Sequence, residues 1–247
     1  MKLSKECLAI DIPLGCSGFV YGMSVICSLL QTGHLKRGLL LVGDTLSKSI
    51  SHLDKSCHPL FGDAGAVAAF EYAADAAPMN FHLGSDGSGY KAIIIPDGGS
   101  RSPVVSESLV MEEITDGISR NRCQLVLDGM DVFSFGISQA PKTVNALLQH
   151  FSIDINTIDY FVFHQANLKM NKMIAKKLKL PENKVPYSLK DYGNTSSATI
   201  PLTILDQLKE QKDKVTNWLF CGFGVGLSWG SVVLSTDSLV TTDIIEL

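Results

Sequence analysis

What this sequence lacks narrows it first. No apolar run approaches the roughly 20 residues that a membrane-spanning helix requires, so the chain is not expected to cross a bilayer. Neither sign of charge dominates: 21 basic residues stand against 25 acidic ones, which argues against a nucleic-acid partner held by a chain-wide positive field and leaves room only for a local basic patch. The cysteines Cys7, Cys16, Cys27, Cys57, Cys123 and Cys221 have no CxxC or CxxH spacing, so no metal site, redox dithiol or disulfide scaffold is expected. No apolar signal-peptide core follows Met1, and free thiols in such a chain predict the cytoplasm. What remains, 45% hydrophobic and 19% charged over 247 residues, is the composition of a folded chain with a large core.

Hydrophobic patterning predicts an α/β protein. A short buried strand is expected at 7–12, broken by Pro13-Leu14-Gly15 ahead of a helix over 17–33. Further strands are expected at 38–43 and 64–71, where few polar positions leave little for a solvated face and a sheet covered on both sides fits best. Scattered Gly, Ser and Pro make 76–123 irregular, a natural boundary between two halves. Helices over 135–151, 167–178 and 197–212 and strands at 160–163, 218–221 and 231–234 follow. Each half ends in a helix and a pair of strands, which hints at a duplication.

Four segments carry candidate chemistry. Cys16, in Gly15-Cys16-Ser17-Gly18, sits where a strand turns sharply into a helix, an arrangement that presents a nucleophile and whose N-terminal amides favour a thiolate. The alternative is a small residue filling a tight turn. His164, in His164-Gln165-Ala166-Asn167, lies where an apolar strand meets a helix; capping or packing is its alternative, and His34, His52, His58, His82 and His150 lack comparable placement. Asn194, in Tyr192-Gly193-Asn194-Thr195-Ser196-Ser197, is a candidate that could equally be an N-cap. The segment Gly222-Phe223-Gly224-Val225-Gly226 joins two strands, which excludes a dinucleotide fingerprint and fits either a tight hairpin or backbone amides aimed at an oxyanion.

The strings LGCSGF, LFGDAGA, FHQAN, YGNTSSATIP and GFGVGLSWG together resemble the β-ketoacyl-acyl-carrier-protein synthase III family of the thiolase superfamily. The resemblance implies a duplicated, layered, thiolase-like α/β fold whose N-terminal half is incomplete, since only 15 residues precede the matched cysteine and family members carry a longer stretch there. It divides the chain into the remainder of an N-terminal half plus linker, 1–122, and a C-terminal half, 123–247. It assigns Cys16, His164 and Asn194 as the catalytic set and the amides of Cys16 and Val225 as the oxyanion donors. The implied reaction is a decarboxylative Claisen condensation of an acyl-CoA primer with malonyl-acyl-carrier protein in fatty-acid biosynthesis, with no cofactor beyond these substrates. Two other readings share the scaffold: acyl transfer to oxygen or nitrogen, or secondary-metabolite condensation, on one hand, and an inactive assembly or binding subunit on the other. The implied partners are acyl-CoA, acyl-carrier protein and a second copy of the chain, paired through 7–12. Lys169, Lys172, Lys176 and Lys177, with Lys179 beyond them, offer a basic helix face for an acidic carrier protein, and a solvated face is the alternative.

Overall fold

The computed structural model describes residues 4–246. The outer ends of the two expected halves, 1–3 and 247, and the segment immediately after Met1 lie outside the described residues. In chain order the elements are α1 (Gly18–Gln31), β1 (Arg37–Asp44), β2 (Ala64–Glu71), β3 (Asn80–Ser85), the short strands β4 (Ile93–Ile94), β5 (Glu112–Thr115), β6 (Ile118–Arg120) and β7 (Val126–Leu127), α2 (Gly129–His150), β8 (Tyr160–Phe163), α3 (Leu168–Lys177), α4 (Leu189–Tyr192), α5 (Thr199–Gln207), β9 (Thr216–Gly224) and β10 (Ser228–Thr236). A helix followed by an antiparallel strand pair occurs twice, as α1–β1–β2 and α5–β9–β10.

The core is organised by a four-stranded sheet of order β3-β10-β9-β8, in which only β8 and β9 run parallel. Its strands read as nearly unbroken apolar runs because both faces are covered. Phe161, Phe163, Leu219, Cys221 and Phe223 pack on one side with Val144, Leu147, Met170 and Ile174 of α2 and α3. Val162, Trp218, Phe220, Val232 and Leu234 pack on the other with Phe19, Val20 and Met23 of α1 and Ile200 of α5. The alternation follows from the two-residue period of a strand, and burying each large side chain contributes about 1.5–3 kcal/mol.

Several elements differ from the sequence expectation. The segment 7–12 forms no strand or helix, with Leu8 57% and Ile10 55% exposed. A strand needs a hydrogen-bonded neighbour, and among the described residues none pairs with it. The strands β1 and β2 form an antiparallel pair covered on one face only: Leu40 is buried against the core, while Leu41 and Val67 are 66% and 56% exposed. The stretch expected to be irregular supplies β3, an edge strand of the main sheet. The rest of that stretch is ordered mainly by side chains. Buried Asp97 accepts from Arg122 at 2.7 and 2.9 Å and from the hydroxyls of Ser102 and Ser108, and these donors hold its carboxyl far below the usual range. Asp54 pairs with Arg120 at 2.8 Å. α2 starts earlier than expected because Asp128 caps it, accepting from the backbone N–H of Met130 and Asp131, and it continues through Pro141. The expected helix over 197–212 is interrupted at Leu208, so that α5 is two and a half turns long.

Candidate active site

Cys16 lies in the tight turn that opens α1, where Gly18 N–H donates to Gly15 C=O at 2.7 Å. Ser17, the N-cap, makes no side-chain cap; its hydroxyl bonds that of Ser228 at 2.7 Å, and Ser228 in turn donates to Val225 C=O at 2.7 Å. The first turn of α1 is thereby laced to the loop between β9 and β10. Gly222 and Gly224 lie on the same face of β9 as Trp218 and Phe220, the face that carries α1, and having no side chains they let the Cys16 backbone and thiol lie directly against the strand. The backbone amides of Cys16 and Val225 and, more weakly, the hydroxyl of Ser196 act to lower the pKa of the sulfur. Burial acts against them, reinforced by the Asp44 carboxylate, and burial wins: the thiol is pushed up, not down. The expectation that the helix N-terminus would favour a resting thiolate is corrected accordingly. Its amides are in place, but they oppose a larger desolvation.

His164 follows β8 and is 1% exposed. Parallel pairing brings the carboxyl ends of β8 and β9 together, with His164 N–H donating to Cys221 C=O at 2.8 Å, so the histidine stands at the strand ends where this class of fold gathers its ligands. Its ring meets Phe223 edge to face, with centroids 5.6 Å apart, and its Nδ1 lies 2.8 Å from Thr199 Oγ1. Burial lowers the imidazole to about 3, so the ring is neutral at physiological pH. The neighbours in its motif are braces. Gln165 donates to Phe163 C=O and accepts from Ser188 N–H, Asn167 caps α3 by accepting from Met170 N–H, and Asn171 donates to His164 C=O.

Asn194, 5% exposed, is not a cap for α5; its Oδ1 accepts from Ser196 N–H at 2.9 Å, which leaves its NH2 group as the free donor end. Its backbone is clamped by the LFGDAGA segment, donating to Leu60 C=O at 2.9 Å and accepting from Gly62 N–H at 3.0 Å. The approach requires Gly193, whose φ is +64° and where a side chain would strike the Leu60 carbonyl.

Cys16 and Asn194 thus meet through Ser196, and Thr199 joins His164 to the same segment by donating to Ser196 C=O at 2.9 Å. Ser196, Thr199, Ser228 and Phe223 were not singled out by the sequence, although all lie in quoted motifs. Of the lysines, Lys169, Lys172 and Lys176 line a shallow surface pocket with Leu168 and Met173, and Lys169 stands 5.9 Å from the centroid of the Phe133 ring. Lys177 lies apart, donating to Ile137 C=O at 2.9 Å, and Lys179 falls beyond the end of α3. Among the other histidines, His82 bonds Thr143, and His52 and His58 bond each other at 2.9 Å.

A thiol beneath two amides, a neutral imidazole and a carboxamide can stabilise negative charge first on an acyl oxygen and then on an enolate, without moving an ionised group. Comparison with known proteins gives the same arrangement its family. Residues 10–87 match the family described as 3-Oxoacyl-[acyl-carrier-protein (ACP)] synthase III, and residues 148–236 match its C-terminal portion. A putative 3-oxoacyl-[acyl-carrier-protein] synthase 3 of Campylobacter jejuni is 35% identical over 99% of this chain and 68% of its own length. The β-ketoacyl-[acyl-carrier-protein] synthase III of Clostridioides difficile is 33% identical over 92% of this chain and 66% of its own. The crystal structure of a 3-oxoacyl-(acyl-carrier protein) synthase from Burkholderia xenovorans LB400 superposes with a TM-score of 0.89 at 42% identity, covering 99% of this chain and 69% of that one. A priming β-ketosynthase from the R1128 polyketide pathway superposes at 0.74 with 25% identity, covering 92% of this chain and 65% of that one. The chain spans about two thirds of the length of these relatives. It belongs to the 3-oxoacyl-[acyl-carrier-protein] synthase III family, with the thiolase-like α/β fold of that family.

Proposed function

We propose that this chain carries the acyl-transfer and condensing centre of a synthase III that joins an acyl-CoA primer to malonyl-acyl-carrier protein in fatty-acid biosynthesis. The observation that carries the reading is the Cys16 sulfur at the start of α1, set against Gly224 of β9 and beside the Val225 loop, where the amides of Cys16 and Val225 act to lower its pKa. Cys16 attacks the thioester carbonyl, the carbonyl oxygen takes the charge beneath the two amides, and CoA leaves with the proton that the thiol gives up. Malonyl-acyl-carrier protein then loses carbon dioxide. The electron pair of the broken carbon–carbon bond passes into an enolate whose oxygen is held by the Asn194 NH2 and by His164 Nε2. Nε2 donates in the tautomer whose Nδ1 accepts, for which the Thr199 hydroxyl turns from Ser196 C=O to Nδ1, and because the ring is neutral it stabilises the oxygen without protonating it. The enolate carbon attacks the acyl-Cys16 carbonyl, a new carbon–carbon bond forms as the carbon–sulfur bond breaks, and the Cys16 sulfur leaves as a thiolate that takes a proton from solvent. The steps are acyl transfer, loss of carbon dioxide and proton transfer, so no cofactor is assigned beyond the two substrates. Incubation with a short acyl-CoA is expected to add one acyl mass, mapped by peptide analysis to Cys16. An adduct on another cysteine, or none, overturns the assignment and favours an assembly or binding subunit.

The relation to a polyketide priming synthase supports a second reading, condensation in secondary metabolism. Release of carbon dioxide from malonyl-acyl-carrier protein separates both from simple acyl transfer to oxygen or nitrogen. The carrier protein is assigned to the pocket of Lys169, Lys172 and Lys176, whose cations ring an apolar floor. Lys172→Glu with Lys176→Glu is expected to weaken carrier-protein binding roughly tenfold at low salt and to flatten its salt dependence, with Cys16 acylation by a CoA thioester unchanged. Lys177, tied to α2, is expected to contribute less. Pairing of two copies through 7–12 would give that unpaired segment a ladder and cover Leu8 and Ile10, which supports a homodimer. Six free cysteines support a reducing cytoplasm, and among the described residues no helix is long and apolar enough to cross a membrane.

A further inference from the structure

Three non-glycine residues among those described have positive φ: Ser152 at +54°, Lys179 at +55° and Ser196 at +54°. Ser152 and Lys179 are exposed and lie just past the ends of α2 and α3, where a left-handed residue commonly terminates a helix. Ser196 has no such explanation. It is 4% exposed, precedes α5, and holds a strained backbone in the interior, where glycine would adopt the same conformation freely. Each of its polar groups is engaged around the site. Its N–H donates to Asn194 Oδ1 at 2.9 Å, and its C=O accepts from Thr199 Oγ1, the partner of His164 Nδ1. Its hydroxyl overhangs the nucleophile turn: a Cβ at Gly15, the residue before Cys16, would stand 3.1 Å from Ser196 Oγ, and the same hydroxyl acts to lower the pKa of the Cys16 thiol.

We propose that Ser196 is a further catalytic residue: the left-handed turn presents its hydroxyl to Cys16 as a donor to the sulfur when charge gathers there, while its main chain aligns Asn194 and, through Thr199, His164. This rests on Cys16 being the nucleophile. It also accounts for serine at a position whose backbone suits glycine, because glycine supplies the turn and the two main-chain bonds but no donor. A hydrogen bond to a charged group is stronger than one between neutral groups, so the hydroxyl contributes most once the thiol has ionised.

The inference makes stability and reactivity move in opposite directions. Ser196→Gly relieves the strain, and Ser196→Ala keeps it; both delete the donor. Alkylation of Cys16 by iodoacetamide, followed on its own peptide across pH, is expected to shift its midpoint upward in both variants and to slow roughly tenfold or more at neutral pH. Thermal melting of Ser196→Gly is expected to equal or exceed that of the parent chain. An unmoved midpoint in both variants overturns the proposal, and so does a Ser196→Gly protein that melts well below the parent, since that would make the residue structural. Iodoacetamide needs neither CoA nor carrier protein. A null result here therefore leaves the condensing reading standing, whereas a shifted midpoint without acyl transfer would count against that reading alone.

Discussion

Lowering the pH from 6.5 to about 5 is expected to destabilise the folded chain by about 2 kcal/mol through His164 alone. The ring is 1% exposed and its ordinary value of 6.5 falls to about 3 on folding, because burial penalises the imidazolium. Between those values the unfolded chain binds a proton that the folded chain does not, so stability is complete above pH 6.5 and is lost as the pH falls toward 3. The carboxyls lowered on folding, Asp54 and Asp97, add their own losses only once the pH approaches the ordinary carboxylate range near 4. The interval from about pH 6.5 to 5 therefore reports chiefly on the histidine. His164→Gln is expected to flatten the slope of unfolding free energy against pH there, whatever it does to stability at pH 7. Denaturant titrations of both proteins across that interval provide the check, and equal slopes would falsify the buried neutral state.

That state was not legible in the sequence. The position of His164 was, because an apolar run ending in His-Gln-Ala-Asn marks the carboxyl end of a strand, and β8 ends at Phe163. The direction of its pKa depends on what packs over it, namely Phe223 from a strand sixty residues away and Thr199 from the start of α5. The cysteine shows the opposite case. Its place at the start of α1 was clear, yet the inference from that place to a lowered pKa was not sound. The favourable amides are local and readable, whereas the burial that outweighs them comes from β9 and the Ser196 segment closing over the turn.

The same distinction runs through the fold. Strands buried on both faces, β8 and β9, announce themselves as apolar runs, and β8 coincides with its expected bounds. β3 does not announce itself, since Asn80-Phe81-His82-Leu83-Gly84-Ser85 is polar and glycine-bearing and becomes a strand only because β10 offers it an edge. The segment 7–12 is its mirror image, apolar enough to read as a strand but with no partner among the described residues. The stretch around Asp97 had no periodicity to detect because an ion pair and two serine hydroxyls order it. Nor does sequence mark Ser196, since a positive φ at serine leaves no trace in composition.

Two glycines of β9, in a segment whose sequence fits either a tight hairpin or an oxyanion loop, are expected to give large effects when substituted. A Cβ at Gly222 would stand 2.9 Å from both the Cys16 carbonyl oxygen and Ser17 Cα, and since these are backbone atoms at the opening of α1, neither can rotate away. Gly222→Ala must push α1 off the sheet or bend β9, and overpacking of this kind costs about 1–3 kcal/mol or more. At Gly224 the added Cβ would stand 2.6 Å from Cys16 Sγ, which can turn away, and 2.5 Å from Cys16 Cβ, which cannot because the backbone fixes it. Gly224→Ala is therefore expected to cost stability as Gly222→Ala does and, in addition, to push the sulfur away from the amides of Cys16 and Val225, a misplacement that lowers reactivity roughly a hundredfold. Urea unfolding and the rate of Cys16 alkylation, measured on both variants, provide the check. Both variants should lose unfolding free energy, and Gly224→Ala, whose added atom meets the thiol itself, should show the larger loss of Cys16 reactivity in the folded protein. Equal alkylation rates in Gly224→Ala and the parent would mean that the sulfur does not lie against this strand in solution. With it would go the physical basis for assigning the Val225 amide to the oxyanion.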